Sequence, residues 1–386
     1  MSDLILVSKA DLLEANERDV SLADSSDLAL FDRLKIDDKK ILGMIQSLND
    51  TISLDDPIGK EKYRYVHPQG MDIVNRTAPF GTILIIYESR PDVTVEAAAL
   101  AFKAGSKILL KGGKEARFSN LFLVKLWHQA LTESGLDVAL VQYLDYTRDQ
   151  TNDLLRSSDK KIDLVVPRGG EALIQMVKSL SSAPVLVSGR GNNFIYVHSD
   201  ADTAMAIDII LNSKLNKISV CNATDKVLIN THLEGYKNFI KNLSRALILQ
   251  ECELWGDKTL QEFIPDLGIH IDTDEPILYE EFLAKKLMFS LVNDLEEAIE
   301  KINKYSGGHT AVIITENKST STNFMENIDA ASVIHNASSR YTDGGQFGLG
   351  AELAISTDKL HHRGPLGLEQ LVTNKWYVYG DGQTRK

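Results

Sequence analysis

Two cysteines occur in 386 residues, and one of them, Cys221, stands in Ser219-Val220-Cys221-Asn222-Ala223, just ahead of the apolar run Val227-Leu228-Ile229. A thiol at the mouth of a buried strand is placed to act as a nucleophile if it is exposed and its thiolate is favoured; otherwise free cysteine behaves as a small buried hydrophobe. Three glycine-bearing turns bear on that choice: Lys111-Gly112-Gly113-Lys114 after Leu110, Arg168-Gly169-Gly170 after Val166-Pro167, and Ser188-Gly189-Arg190-Gly191 after Val187. Glycine lets backbone amides approach a phosphate, and a helix starting just beyond adds its positive end. Any one of these is an ordinary strand-to-helix turn, but three at one sheet edge favour a nucleotide. Neither G-x-G-x-x-G nor a P-loop is present. Arg90, Arg340 and Arg363 sit beside glycine, serine or proline, where a guanidinium can fork onto a carboxylate or phosphate. His361 and His362 are adjacent, so they point apart in any regular element, and no metal site is expected.

The elements that must position these residues are legible as a pattern. Helical spacing fills the first fifty or so residues, and a hairpin follows at Tyr63–Val66 and Met71–Arg76 around His67-Pro68-Gln69-Gly70. Such a ribbon is marginal alone and must pair with another subunit or a distant part of the chain. From Pro79, apolar runs alternate with helical stretches: strands at Thr82–Tyr87, Lys107–Leu110, Val138–Tyr143, Ile162–Val166, Pro184–Val187 and Phe194–Val197. The alternation resumes after Cys221, with strands at Leu287–Val292, Ala311–Thr315 and Ser332–His335. The fold class expected is α/β, with doubly wound, mostly parallel sheets and ligands at the carboxyl ends of the strands. The glycine-rich stretch Asn336–Leu368 is too long and polar for a spacer and reads as part of a site.

Composition narrows the class further. Acidic residues outnumber basic ones by 54 to 42, a net charge of −12, which is the wrong sign for a nucleic-acid binder. No apolar run approaches membrane-spanning length, the start lacks a signal core, and two cysteines build no disulfide framework; a cytoplasmic setting is expected.

The chain resembles the γ-glutamyl phosphate reductases, also called glutamate-5-semialdehyde dehydrogenases, of the aldehyde dehydrogenase superfamily. The resemblance runs from about Leu13 to Gln383 and is carried by Tyr87-Glu88-Ser89-Arg90-Pro91, Leu110–Glu115, Val166–Gly170, Val220-Cys221-Asn222-Ala223, Gly308-His309-Thr310 and nearly all of Asn336–Leu368. It implies an aldehyde dehydrogenase-like fold: a Rossmann-like nucleotide-binding domain (1–57 and 79–205), an α/β catalytic domain (206–358), and a small oligomerisation hairpin with a C-terminal strand (59–78 and 369–386). It implies NADPH-dependent reduction of L-glutamyl 5-phosphate in proline biosynthesis, through a thioester on Cys221, with Asn222 a candidate oxyanion donor. Lys111, Gly112, Gly113, Gly169, Gly170, Glu281 and Phe347 would hold the cofactor. Arg90, Ser339, Arg340 and Arg363 would recognise the substrate. A homo-oligomer and transient contact with glutamate 5-kinase are expected partners. The turn Val187-Ser188-Gly189 carries no carboxylate where hydrolytic relatives carry their base, which suits a reaction that must exclude water. The family's K-T-Q-R-P before the cysteine is here Lys214-Leu215-Asn216-Lys217-Ile218. The competing readings are a relative acting on another acyl phosphate or semialdehyde, and a non-catalytic partner of the kinase; thiol reactivity separates the last from the others.

Overall fold

The computed structural model describes residues 1–24, 28–157, 161–187, 189–260, 267–272 and 274–385. The chain forms two compact units: Met1–Ser188 with Gly348–Ala354 and Pro365–Lys386, and Gly189–Phe347 with Ile355–Gly364.

The first unit is built on four parallel strands in the order Val141–Tyr143, Lys107–Lys111, Thr82–Tyr87, Leu164–Arg168. Ile83 lies opposite Ile108 on one side and Leu164 on the other. The strands are buried on both faces, as their unbroken apolar runs require. The chain steps outward twice from Thr82–Tyr87 and then returns to its far side, which makes a topological switch between Thr82–Tyr87 and Leu164–Arg168. Helix Pro91–Lys103 begins with Pro91 at its first turn and Asp92 beside it, both suited to a helix start. At its other end Lys103 Nζ donates to the carbonyls of Thr51, Ile52 and Leu54, capping helix Asp38–Ser53. The N-terminal helices grip helix Arg117–Glu133, which follows the Lys111–Gly113 turn. The buried Asp19 carboxylate accepts from Phe118 N (2.9 Å), Ser119 N (2.8 Å) and Ser119 Oγ (2.6 Å), satisfying that helix's first donors.

The hairpin forms as Glu61–Val66 against Asp72–Pro79, and its partner is distant in sequence: Val372–Tyr379 completes a three-stranded antiparallel sheet, with Trp376 opposite Asn75. Every residue of Glu61–Val66 is exposed.

The second unit holds seven parallel strands in the order His270–Ile271, Glu253–Gly256, Lys286–Val292, Thr224–Asn230, Asn193–Val197, Thr310–Ile314, Ser332–His335. Helices Tyr236–Ile248 and Leu295–Tyr305 pack apolar stripes against it.

Three expectations change. The strand at Phe194–Val197, read as a continuation of the first series, lies at the centre of the second sheet between Thr224–Asn230 and Thr310–Ile314. Sheet membership is set by long-range register, which alternation along the chain does not encode. Pro184–Val187 makes only one bridge, Val165 to Val185; a proline at its start and the glycine turn beyond leave little room for a ladder. Val138–Leu140 is a single 3₁₀ turn whose start is capped by the Asp137 carboxylate on Ala139 N (2.8 Å), so the strand there begins at Val141.

Candidate active site

In the first unit, the turn after Lys107–Lys111 and the chain after Tyr87 and Arg168 wall a cavity of about 660 Å³. Lys111, Gly112 and Gly113 line it, as do Glu88, Tyr146, Thr147, Leu173 and Met176. Gly112 is a close-approach position: a Cβ there would stand 3.1 Å from the Tyr87 ring, which is itself fully buried and bonded to Thr94 at 2.7 Å. Gly170 N donates to the Glu88 carboxylate (3.3 Å), and Gly169 packs against Glu88 and Leu173. Five of the seven expected cofactor residues thus gather at one edge of one sheet. Lys111 is half-buried, donates to the Gly112 carbonyl at 2.7 Å, and is pushed below the usual lysine range by that burial, against the pull of Asp145 and Glu115. The cavity's size, its backbone approach at Gly112 and its apolar wall fit the adenosine half of a dinucleotide. Arg90 immediately precedes helix Pro91–Lys103, at its N-cap position and without a side-chain cap bond.

The second unit carries the thiol. Cys221 is exposed in the turn ahead of Thr224–Asn230, whereas Cys252 is buried and its thiol is pushed up to about 11 by that burial. The turn's backbone is held from beneath by Asn193, whose amide donates to the carbonyls of Cys221 and Ala223 at 2.7 Å each and accepts from Thr310 N at 3.0 Å. Gly191 presses on the same turn: a Cβ there would lie 2.5 Å from Cys221 Cα. Arg340 is half-buried, with Nε on Asn216 Oδ1 at 3.3 Å; burial lowers its pKa, while Asp343 and Cys221 act to raise it. A cation within electrostatic reach of the sulfur favours the thiolate.

Several of the expected site residues have partners within the chain. The Asn222 amide donates to the carbonyls of Thr342 (2.8 Å) and Arg340 (3.4 Å), so it braces the Arg340 loop. Ser339 is fully buried, with Oγ on Asn222 O (2.6 Å) and Thr224 Oγ1 (3.0 Å), so it fixes the loop from inside. Arg363 is committed to Asp329, through the carboxylate at 2.6 Å and the carbonyl at 3.1 Å. Glu281 and Phe347, expected at the cofactor, belong to the second unit, Glu281 half-buried and Phe347 exposed. Ser188, in the turn that lacks a carboxylate, lies outside the described residues.

Sequence reading missed the mount of Glu281. Lys214 and Asp225 form a buried pair at 2.7 Å, 0% and 2% exposed, and the second Asp225 oxygen accepts Phe282 N at 2.9 Å. Lys226, also buried, donates to Asn192 Oδ1 (3.0 Å) and Glu280 O (2.8 Å) and lies 3.6 Å from the centre of the Phe282 ring. Charged residues alternating into an apolar strand, Asp225-Lys226-Val227, were the available signal. Asn193 gave none, being one of two adjacent asparagines in a turn.

Comparison with known proteins places this geometry. The aldehyde dehydrogenase family model matches residues 4–251 and 263–351. The chain is 40% identical over 384 residues to gamma-glutamyl phosphate reductase of Clostridium perfringens (strain SM101 / Type A), covering 98% of this chain and 91% of that one. It is 41% identical over 388 residues to the enzyme of that name from Clostridium acetobutylicum, covering 100% and 92%. The crystal structure of gamma-glutamyl phosphate reductase from Thermotoga maritima superposes with a TM-score of 0.92 at 38% identity, covering 100% and 92%. An acetylating aldehyde dehydrogenase from Geobacillus thermoglucosidasius, at 18% identity and a TM-score of 0.70, shares the fold. The chain belongs to the aldehyde dehydrogenase family and, within it, to the gamma-glutamyl phosphate reductases.

Proposed function

We propose that this chain reduces L-glutamyl 5-phosphate to L-glutamate 5-semialdehyde and phosphate in proline biosynthesis, with NADPH as reductant. The observation that carries the reading is an exposed thiol, Cys221, on a turn locked by Asn193 and Gly191 and within reach of the Arg340 cation. As thiolate, Cys221 adds to the acyl carbon; the C–O bond to phosphate breaks, phosphate departs with the electron pair, and a thioester remains on the sulfur. When bound, the reduced nicotinamide supplies hydride to that acyl carbon. The C–S bond then breaks, releasing the aldehyde and restoring the thiolate, so one acyl phosphate consumes one hydride and one proton overall.

Lys111, Gly112, Gly113, Gly169 and Gly170 hold the dinucleotide on the first unit. Arg340 stabilises the thiolate and recognises an anionic group of the substrate. Arg363 fixes the segment around Asp329. The sheet of Glu61–Val66, Asp72–Pro79 and Val372–Tyr379 joins copies of the chain, since its outer strand offers an unpaired edge with Tyr63, Tyr65 and Val66 exposed. No described helix is long and apolar enough to cross a membrane; the acidic, disulfide-free chain works in the cytoplasm, where glutamate 5-kinase would hand over its unstable product.

The test is the reverse reaction: pyrroline-5-carboxylate in equilibrium with the semialdehyde, phosphate and NADP⁺, followed at the reduced-nicotinamide band, with Cys221→Ala as control. Phosphate-dependent reduction that vanishes in the variant supports both reaction and nucleophile. Phosphate-independent turnover, or an active Cys221→Ala enzyme, refutes the proposal.

A further inference from the structure

We propose that His309 is a positioning residue for the thiol: through the Thr310 hydroxyl it sets the Cys221 turn against the Arg340 loop, an inference that rests on Cys221 as the nucleophile. The chemistry above gives the stretch Gly308-His309-Thr310 no role. Gly308 takes a φ of +71°, the left-handed region that suits glycine, and turns the chain into strand Thr310–Ile314 with His309 and Thr310 both inside, 1% and 0% exposed.

Thr310 joins the two sides of the thiol. Its N–H donates to Asn193 Oδ1 at 3.0 Å, and the Asn193 amide holds the carbonyls of Cys221 and Ala223. Its hydroxyl donates to Thr342 Oγ1 at 3.0 Å. Thr342 follows Arg340 and Tyr341 in the same loop, and its carbonyl accepts the Asn222 amide at 2.8 Å. One residue thus ties the turn that carries the sulfur to the loop that carries the cation. The Thr310 hydroxyl has a single proton, and Thr342 takes it, so towards His309 Nδ1 at 2.8 Å the oxygen can only accept. The imidazole therefore carries its proton on Nδ1 and holds the Thr310 side chain in the orientation that reaches Thr342.

Among the described residues, the Thr310 bond is the only polar contact of the ring. Nε2 is buried and unbonded, a cost to the fold that an aliphatic side chain would not incur. Burial keeps the imidazole neutral, pulling its pKa down to about 4, so at neutral pH the ring contributes the Nδ1 donor and no charge.

The test compares wild type with His309→Asn, His309→Gln, His309→Leu and Thr310→Val in the full chain. Three quantities are read: urea stability, kcat for phosphate-dependent NADP⁺ reduction, and the pH profile of iodoacetamide labelling at Cys221. Asn offers an N–H at the δ position, as the imidazole does, and should keep kcat within about twofold, whereas Gln offers one a bond further out and Leu none, and both should lose about tenfold. The same two variants should show a raised thiol pKa in the labelling profile, because the sulfur and the Arg340 cation are no longer held together. Leu also removes the unbonded nitrogen, so its stability should hold or rise while its rate falls. Thr310→Val should match the Leu variant, and His309→Leu/Thr310→Val should lose no more than the worse single, because both cut one path. The inference is overturned if Asn and Gln behave alike, if the losses of the double variant multiply, or if the variants lose stability with kcat and labelling per folded molecule unchanged. Labelling does not depend on turnover, so wild-type protein without phosphate-dependent NADP⁺ reduction refutes the proposed reaction and leaves the labelling profile to decide this inference.

Discussion

Gly191 offers a sharp test of how the thiol is positioned. Its backbone lies so close to the Cys221 turn that an added Cβ would stand 2.5 Å from Cys221 Cα, against an ordinary carbon–carbon contact of about 3.5–4.0 Å. The obstacle is backbone, so no side chain can swing aside. In Gly191→Ala the two segments must part by about 1 Å, and a displacement of that size at a reacting atom costs about a hundredfold in rate, or about 2.7 kcal/mol of barrier. Asn193 resists the shift, since its amide ties Cys221 and Ala223 to Thr310. The assay is kcat for phosphate-dependent NADP⁺ reduction, with the rate of iodoacetamide labelling at Cys221 read alongside. Gly43→Ala is the control: its Cβ meets nothing within 4 Å in the middle of helix Asp38–Ser53, so it should keep kcat and gain up to about 1 kcal/mol of stability. A Gly191→Ala enzyme with kcat within about threefold of wild type and an unchanged labelling rate would refute the steric reasoning.

Three further outcomes are expected. At pH 7.5 the exposed Cys221 should alkylate at least about tenfold faster than Cys252, whose burial pushes its thiol up to about 11; peptide mapping that finds equal rates would contradict the assignment of the nucleophile. Lys214→Met strands the Asp225 carboxylate, 2% exposed, and should cost about 3–5 kcal/mol in urea unfolding, with Lys214→Met/Asp225→Leu recovering part of it; a loss below about 1 kcal/mol would mean that Phe282 N alone suffices for the carboxylate. Burial lowers the Lys226 ammonium from its ordinary 10.5 to about 7. The unfolded chain therefore keeps a proton that the folded one has released, and between about pH 7 and 10.5 stability rises with pH, by up to about 1.4 kcal/mol per unit. Below pH 7 both states hold the proton and that slope vanishes. The difference in urea stability between wild type and Lys226→Met, measured from pH 6 to 10, should follow this course; a flat difference would show that the ammonium stays charged inside.

The sequence was most informative where physics is local. Unbroken runs such as Thr82–Tyr87 announce strands buried on both faces, and the Pro91 and Asp92 start, the hairpin around Gly70 and the glycine turns were readable because one residue type dictates one backbone. Cys221 was found because it is rare and stands before a buried run. What escaped depends on contacts far apart in sequence. Ser339 stands in a polar loop, yet its hydroxyl bonds Thr224 and the Asn222 carbonyl, more than a hundred residues earlier, inside the protein. Arg363 looked free until Asp329 took its charge. The sheet that Asn193–Val197 joins is likewise fixed by pairing with Thr310–Ile314, which no window around residue 193 contains.

The chain order of the two units has a temporal consequence. The first unit is left at Ser188 and finished only by Gly348–Ala354 and Pro365–Lys386. Leu353, Leu366, Leu368 and Leu371 belong to the same buried cluster as Ile83 and Leu100. On the ribosome, then, the nascent first unit waits with an incomplete core while about two hundred further residues emerge, roughly 10–40 s at ~5–20 residues per second. The second unit, contiguous from Gly189 to Phe347 apart from Ile355–Gly364, is able to mature during that interval. A chain cut short after Gly364 would therefore hold a complete second unit behind a first unit still lacking Pro365–Lys386, the reverse of the order in which the two were begun.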